Sequence, residues 1–371
     1  MRVAIVLNTS WNIYNFRYNL VNRLLEKGYE VYAIAPHDDY SKKLEKMGCK
    51  YVPLSMDSRG VNPVKDFALV VELFNIYRKV KPDVVLHYTI KPNIYGTLAA
   101  SILGVPVVNN VCGLGTAFLK KNLLSLVAKL MYKISFWYPK KIFFQNDDDL
   151  ELFVDNKIVS KNSSDILPGS GVDLKKFSPS QYNSMNKLTF LLISRLIIDK
   201  GIYEYIEAIK RLRLEGIDAN FQILGSKDPE HRRGIPILEI DQWIKEGIVE
   251  YLGTVEDVRP FINEADCIVL PSYREGTPRT LLEAASSTRP IITTNVPGCN
   301  NVVVDGYNGF LCKEKDASDL AEKIKLFIQL SQEERVEMGV KGRRHVEENY
   351  DENLVIDKYL NTISEIAKQT A

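Results

Sequence analysis

The sequence predicts an α/β protein of two doubly wound domains, each a parallel sheet with helices on both faces. Three observations carry that prediction. Short β-branched and aromatic runs alternate with amphipathic stretches, the alternation stops once in a polar segment near residue 171, and it then restarts. A chain of 371 residues is long enough for two cores.

In the front half the strands are "RVAIVLN" (2–8), "EVYAIAP" (30–36), "KYVPL" (50–54), "DVVLHY" (83–88), "VPVVNNV" (105–111) and "KIFFQN" (141–146). Between them, "FRYNLVNRLLEKG" (16–28) and "VKDFALVVELFNIYRKV" (64–80) carry the apolar spacing of helices. The stretch from 171, bracketed by Pro168 and Pro179, reads as the linker. Strands then resume at 188–195, 219–225, 249–253, 267–272 and 290–295, and helical patterns fill 317–330, 332–350 and the segment from 351. The expected division is 1–176 and 177–350, with the helix 351–371 packing back on the first domain. Two Rossmann-like domains facing across a cleft are expected, with ligands at the carboxyl ends of the strands.

Composition narrows the class. Hydrophobic content of 45% and charged content of 26% describe an ordinary globular protein. The start "MRVAIVLN" lacks the pattern of a leader, and no apolar run approaches the roughly 18 residues of a membrane span. Five cysteines without CxxC spacing suggest reduced core thiols in a cytoplasm rather than metal ligands. Net charge is +1 but divided: up to Lys176 there are 24 Lys and Arg against 16 Asp and Glu, and beyond it 24 against 31. The basic front half is therefore the part expected to meet an anionic partner, and no nucleic acid is expected.

The chemistry concentrates in "REGTPRTLLEA" (274–284). Thr277 suits an N-cap and Pro278 the first helical position, which would aim the amides of Arg279 and Thr280 past the end of the strand "CIVLPS". Side chains lean toward a helix N-terminus, so Glu283 points back toward Glu275 and Gly276. Carboxylates that bind hydroxyls then flank amides that bind diphosphate. The plainer alternative makes Glu283 half of an i, i+4 ion pair with Arg279 and Glu275 a loop charge. "ISRLIIDKG" (193–201) adds Arg195 and Lys200 on the same rim, two cations suited to a diphosphate leaving group.

"SRLIIDKG", followed by "EGTPRTLLEA" and "PGCNNVVVDGYNGFL" (297–311), resembles the retaining glycosyltransferases of family 4, with the GT-B fold. "YTIKPNIYG" (88–96) and "GLGTAF" (113–118) are similar to the subgroup that builds capsule, O-antigen and N-glycan precursors. The resemblance covers nearly the whole chain. It implies that Glu283 binds the donor ribose, that Glu275 binds the transferred sugar, and that amides after Gly276 touch sugar and phosphate. Arg195 and Lys200 would neutralise the diphosphate, and "GTVEDV" (253–258) would hold the base through its backbone.

The sequence departs from the family at "NTSWNIYNF", which lacks the glycine pair many members carry after the first strand. Contact of that loop with phosphate is therefore in doubt, and the absence of GxGxxG argues against a nicotinamide enzyme. His87 stands where some relatives reach the donor sugar, though a core histidine is equally compatible. Lys91 and Arg59 follow strands and could meet an acceptor diphosphate or remain surface charges. "NDDD" (146–149) reads as an acidic helix start rather than a metal site. "FLKKNLLSLVAKLMYKISFWYPKKIFF" (118–144), with six lysines and no acid, suits an anionic membrane surface. The expected activity is metal-independent transfer of an N-acetylhexosamine or galactose from a UDP-sugar to a polyprenyl-diphosphate-linked sugar, at the inner face of the plasma membrane. A 2-epimerase or phosphorylase, or a silent sugar-nucleotide-binding subunit, is the alternative.

Overall fold

A computed structural model of the chain describes residues 1–57, 62–114, 123–180 and 187–370, with side chains 123–125 and 370 left out. The chain divides into one unit of Met1–Ser170 with Asn353–Ala371 and a second of Gly171–Glu352. The first break falls before residue 176 because the segment after Gly171 packs into the second unit. Val172 and Phe177 join a core there, and the Arg343 guanidinium donates to the carbonyls of Leu174 and Phe177.

In the first unit, β1 (Arg2–Val6) leads to α1 (Ser10–Phe16), whose first turn is capped by the Thr9 hydroxyl. The single helix expected over 16–28 is in fact a corner: α1 ends and α2 (Tyr18–Glu26) begins at Arg17, with φ −130° and ψ 12°. β2 (Glu30–Ala35), α3 (Ser41–Lys46), β3 (Lys50–Pro53) and α4 (Pro63–Val80) follow, the last capped by the Asn62 side chain with Pro63 in its first turn. β4 (Val84–Tyr88) passes through a π-helical turn, Pro92–Gly96, into α5 (Thr97–Ile102). β5 (Val107–Val111), α6 (Leu123–Ser135), β6 (Lys141–Phe144), α7 (Asp147–Asp155) and the short β7 (Ser164–Ile166) complete it. The all-parallel sheet runs β3-β2-β1-β4-β5-β6-β7.

Both faces are covered, as a parallel sheet requires. Val3, Ile5, Val84, Leu86 and Tyr88 pack with α1 and α2 on one side, whereas Ala4, Val6 and Val85 pack with α4 and α5 on the other. The crossovers from β3 through β6 all step the same way along the sheet, so right-handedness sets α4, α5 and α6 on one face.

The second unit repeats the plan. β8 (Thr189–Ile193), α8 (Ile202–Leu214), β9 (Asn220–Leu224), α9 (Ile237–Lys245), β10 (Glu250–Tyr251) and α10 (Arg259–Glu264) come first. β11 (Cys267–Leu270), α11 (Arg279–Ser286), β12 (Ile291–Thr294), β13 (Gly309–Cys312), α12 (Ala317–Gln329) and α13 (Gln332–Asn349) close it. Its parallel order is β10-β9-β8-β11-β12-β13. α14 (Glu352–Thr370) then returns to the first unit and buries Val355, Ile356, Tyr359, Leu360, Ile363 and Ile366 against it. The four cysteines Cys49, Cys267, Cys299 and Cys312 are buried free thiols, and burial pushes three of them (Cys49, Cys299, Cys312) up to about 12.

Candidate active site

In an open parallel sheet, ligands lie beyond the carboxyl ends of the strands where the winding reverses. In the second unit that point separates β8 from β11, and the residues of "ISRLIIDKG" and "REGTPRTLLEA" follow those two strands. After β8 the chain makes a 3₁₀ turn, Ile198–Lys200, and reverses at Gly201 with φ +71°. A side chain at 201 would strike the Pro271 carbonyl at 2.0 Å, so glycine lets the turn lie flat on the end of β11. The Tyr273 amide donates to the Asp199 carbonyl at 2.9 Å, and Ser272 Oγ lies 3.0 Å from the same oxygen. This stitching delivers Lys200 to Glu275.

Lys200 Nζ forms an ion pair with Glu275 Oε1, and Ser272 Oγ donates to the same oxygen at 2.7 Å. The two side chains are 22% and 13% exposed, so the pair is sheltered yet reachable. Glu275 is held from behind as well: its amide donates to the Pro297 carbonyl at 3.2 Å, and Gly298, with φ +85°, abuts the carbonyls of Glu275 and Gly276. A Cβ at 298 would lie 2.4 Å from the Gly276 oxygen, which explains the glycine in "PGCNN". The ammonium has three donors and Glu275 uses one, so an incoming anion can share it.

The start of α11 differs from expectation. Pro278, extended at ψ 113°, occupies the cap position itself, Thr277 precedes it, and no side chain caps the helix. The helix thus opens at Arg279, one residue later than proposed, because the preceding turn is pinned to Pro297 and Gly298. Thr280 Oγ1 reaches the Ile193 carbonyl at 3.5 Å and ties this helix start to the end of β8. Glu283 and Arg279 form the i, i+4 pair, Nε to Oε1 at 2.8 Å, but with only 13% and 15% exposure. Burial raises the Glu283 carboxyl above its ordinary value against the opposing pull of Arg279. Arg195 stands apart, 54% exposed, with Asp228 at 3.9 Å as its nearest carboxylate. Ser272 is the member that sequence reasoning missed; its place at the end of "CIVLPS", three residues before Glu275, was the available signal.

The first unit corrects two expectations. His87 is a core residue rather than a rim group: it is fully buried, its Nε2 meets the Tyr77 hydroxyl at 2.8 Å and its Nδ1 meets Asn109 Oδ1 at 3.0 Å. Burial lowers its pKa to about 3, so the ring is neutral, and a Cβ on Gly96 would overlap it at 2.4 Å. Lys91 is not a free rim cation either. It pairs with Asp66 at 2.8 Å, a carboxylate that also accepts from the Tyr95 hydroxyl at 3.0 Å, with side-chain exposures of 15% and 8%. Arg59 lies outside the described residues. "NDDD" forms the cap and first turn of α7, Asn146 accepting from the Asp149 amide at 2.8 Å. Among the described residues no three His, Cys, Asp or Glu side chains converge on a metal position.

Within 118–144, residues 118–122 lie outside the described part. On α6 and just past it, Leu126, Leu130, Ile134 and Trp137 project outward at 45–79% exposure, with Lys133 and Lys140 exposed beside them. α4, on the same face of the sheet, bares Val64, Phe67 and Val71, an apolar stripe that its amphipathic pattern did not announce. Among the described residues no helix is long and apolar enough to cross a membrane.

Known proteins share both the sequence and the fold. The profile described as Glycosyl transferases group 1 matches residues 175–345, and that described as Glycosyl transferase 4-like matches residues 2–146. The N,N'-diacetylbacillosaminyl-diphospho-undecaprenol alpha-1,3-N-acetylgalactosaminyltransferase of Campylobacter jejuni is 28% identical over 99% of this chain and 100% of that protein. The UDP-Gal:alpha-D-GlcNAc-diphosphoundecaprenol alpha-1,3-galactosyltransferase of Escherichia coli is 28% identical over 70% of this chain and 69% of its own. Among solved structures, Anabaena Alr3699/HepE in complex with UDP and glucose superposes with a TM-score of 0.81 over 98% of this chain and 99% of that one, at 16% identity. With the two-sheet architecture and the Lys200–Glu275 rim, these matches identify the chain as a glycosyltransferase of the group 1, family-4-like kind, with the GT-B fold.

Proposed function

We propose that the chain moves a sugar, with retention, from a UDP-sugar to a polyprenyl-diphosphate-linked sugar presented by an anionic membrane. The observation that carries this reading is the Lys200–Glu275–Ser272 cluster at the winding reversal of the second sheet, beside the buried Arg279–Glu283 pair at the start of α11. Glu283 receives the ribose hydroxyls, Glu275 the hydroxyls of the transferred sugar, and Gly276, Thr277 and the first amides of α11 line the path between. The C. jejuni relative supports an N-acetylhexosamine and the E. coli relative a galactose as the sugar moved.

Lys200 and Arg195 then stabilise the charge that grows on the diphosphate as the bond to the anomeric carbon breaks. A retaining hydrolase would use a second carboxylate as nucleophile. Glu275 is instead committed to Lys200 and Ser272, which favours entry of the acceptor hydroxyl on the face the diphosphate leaves. The departing phosphate oxygen takes the acceptor's proton, giving UDP and the lengthened lipid-linked glycan, with no metal required.

The exposed apolar residues of α6 and α4, flanked by Lys133 and Lys140, would seat the first unit on the cytoplasmic leaflet, where each basic residue near the surface contributes about 1 kcal/mol. The test is a donor screen read by nucleotide release, with short-chain polyprenyl-diphosphate sugars as acceptors. Release that depends on both a UDP-sugar and such an acceptor, and survives a chelator, is expected. Turnover of the donor with no acceptor would make the chain an epimerase or hydrolase, and silence with every pair would leave only a binding subunit.

A further inference from the structure

The first sheet reverses its winding between β1 and β4, and the position below that point is held by a buried arginine. Arg17, at the corner between α1 and α2, is 6% exposed. Its guanidinium lies 4.4 Å above the centre of the Tyr88 ring, at the last residue of β4. Nη1 donates to the Phe16 carbonyl at 2.8 Å, Nη2 approaches Cys112 Sγ at 4.0 Å, and Nε has no acceptor.

Two other arginines in this chain are held by more acceptors. Arg289, 1% exposed, donates to the carbonyls of Ile262 and Asn263 and to Ser180 Oγ. Arg343 donates to the carbonyls of Leu174, Phe177 and Ser286 and pairs with Glu347. Arg17 has one carbonyl and the hydroxyl of Tyr88 as neighbours and, among the described residues, no carboxylate. Nor do those neighbours supply a negative charge at neutral pH, since burial raises the Cys112 thiol and pushes the Tyr88 hydroxyl up to about 12. A buried cation without a counter-charge costs several kcal/mol, which a face-on aromatic ring offsets only in part.

The segments that follow β1 and β4 carry further unspent polar groups. Thr89, directly after β4, is held at φ +66°, a conformation that a β-branched residue adopts only under strain. Its Oγ1 is buried without a partner, as are Asn8 Oδ1 just past β1 and Oδ1 of Asn93, a residue 1% exposed. Residues just past the ends of two adjacent strands, and in the turn after one of them, therefore carry polar oxygens that the fold itself does not use.

We infer that the winding reversal of the first unit is a phosphate site whose fixed charge is Arg17, and that it takes a phosphate of the lipid-linked acceptor while Thr89, Asn8 and Asn93 meet the hydroxyls beside it. The phosphate site stands on the geometry alone; its assignment to the acceptor rests on the transferase reading. It also fills the gap left by the missing glycine pair: the anion is met by a side chain from below instead of by loop amides.

The Arg17 Nε–H group of the full-length protein supplies the test. Buried, it gives a resolved ¹⁵N–¹H signal, assigned by its absence in Arg17→Lys. Inorganic diphosphate and a short-chain prenyl-diphosphate sugar are titrated in turn, each with the Arg195→Ala/Lys200→Ala variant so that the second unit's cations do not compete. Movement of that signal by both probes is the expected result, together with at least a tenfold rise in acceptor KM, at unchanged donor KM, in Arg17→Lys. Movement with inorganic diphosphate but not with the lipid analogue keeps the phosphate site and overturns its assignment to the acceptor. A signal that neither probe moves makes Arg17 a structural cation–π group and overturns the inference. A wild-type enzyme that moves the signal but turns over no donor would defeat the transferase reading and leave the site standing.

Discussion

The two sheets reverse their winding in the same way and handle charge there in opposite ways. At the β8/β11 reversal the cation is sheltered but paired, Lys200 with Glu275, and both come from loops. At the β1/β4 reversal the cation, Arg17, is sunk beneath the rim on a helical corner and shares its space with rings and a thiol. A paired charge on a loop can exchange partners at little cost, which suits a leaving group that must come and go. A buried charge cannot move far, which suits holding a substrate in place. On the proposed reading, the difference separates the chemistry of departure from the chemistry of positioning.

The largest effect that would break this contrast lies on the second unit. Lys200→Ala and Arg195→Ala are expected to lower turnover by about 100-fold or more each, as removal of a preorganised donor to developing charge does. Circular dichroism should find both variants folded, and single-turnover rates within a few-fold of wild type would move the diphosphate elsewhere. Next comes the division between the two glutamates. Glu283→Gln should weaken UDP binding by about 10-fold by calorimetry, the cost of roughly one charge-assisted hydrogen bond. Glu275→Gln should spare UDP affinity and lower turnover with the complete donor. Equal responses in UDP affinity would remove the assigned division of labour.

The first unit gives a prediction in pH. His87 has a folded value of about 3 against an ordinary value of 6.5, because burial disfavours its charged form. Between those values the unfolded chain holds a proton that the native chain lacks, so its contribution to stability is complete above about 6.5 and shrinks on acidification. The slope from this one ring is about 1.4 kcal/mol per pH unit. Denaturant midpoints of wild type and His87→Gln between pH 6.5 and 4 should converge as pH falls; parallel curves would mean that the ring is not buried neutral. The smallest effect sharpens the reading of "NDDD": Asn146→Ala should cost about 1 kcal/mol in denaturant unfolding, the loss of a helix cap, and leave activity indifferent to chelators.

What the sequence made legible follows the same division. The strands of both sheets announce themselves through β-branched runs, and the site of the second unit is written in two short motifs whose residues stay neighbours in space. β7 and β13 were not legible. The first is three residues long and largely polar, and the second is the four-residue run "GFLC" opened by a glycine, where pairing with β12 overrides weak local preference. The helix cap shifted by one residue because Pro297 and Gly298, distant in sequence, set the turn before it. His87 and Lys91 had the right location for ligands, but the partners that bury them, Tyr77, Asn109 and Asp66, carry no spacing signal. Arg17 was invisible for the same reason: its neighbours are Tyr88, Cys112 and Tyr359, and no local pattern joins those positions.

The return of α14 to the first unit has a consequence for how the protein is made. Tyr359 supplies the hydroxyl that receives the Asn110 amide at 2.8 Å and a ring against Tyr88 and Phe143, so the part of the first sheet's face formed by the ends of β4, β5 and β6 lacks its cover until this helix arrives. The whole of Gly171–Glu352 is translated in between. At about 5–20 residues per second, the ribosome needs on the order of 10–40 seconds to cross that interval. During it, the second unit, uninterrupted in sequence, can close its core while the first waits with apolar surface bare. The unit that begins first is therefore the one that finishes last, and chaperone binding during synthesis should concentrate on the part of its sheet face around Tyr88 and Phe143.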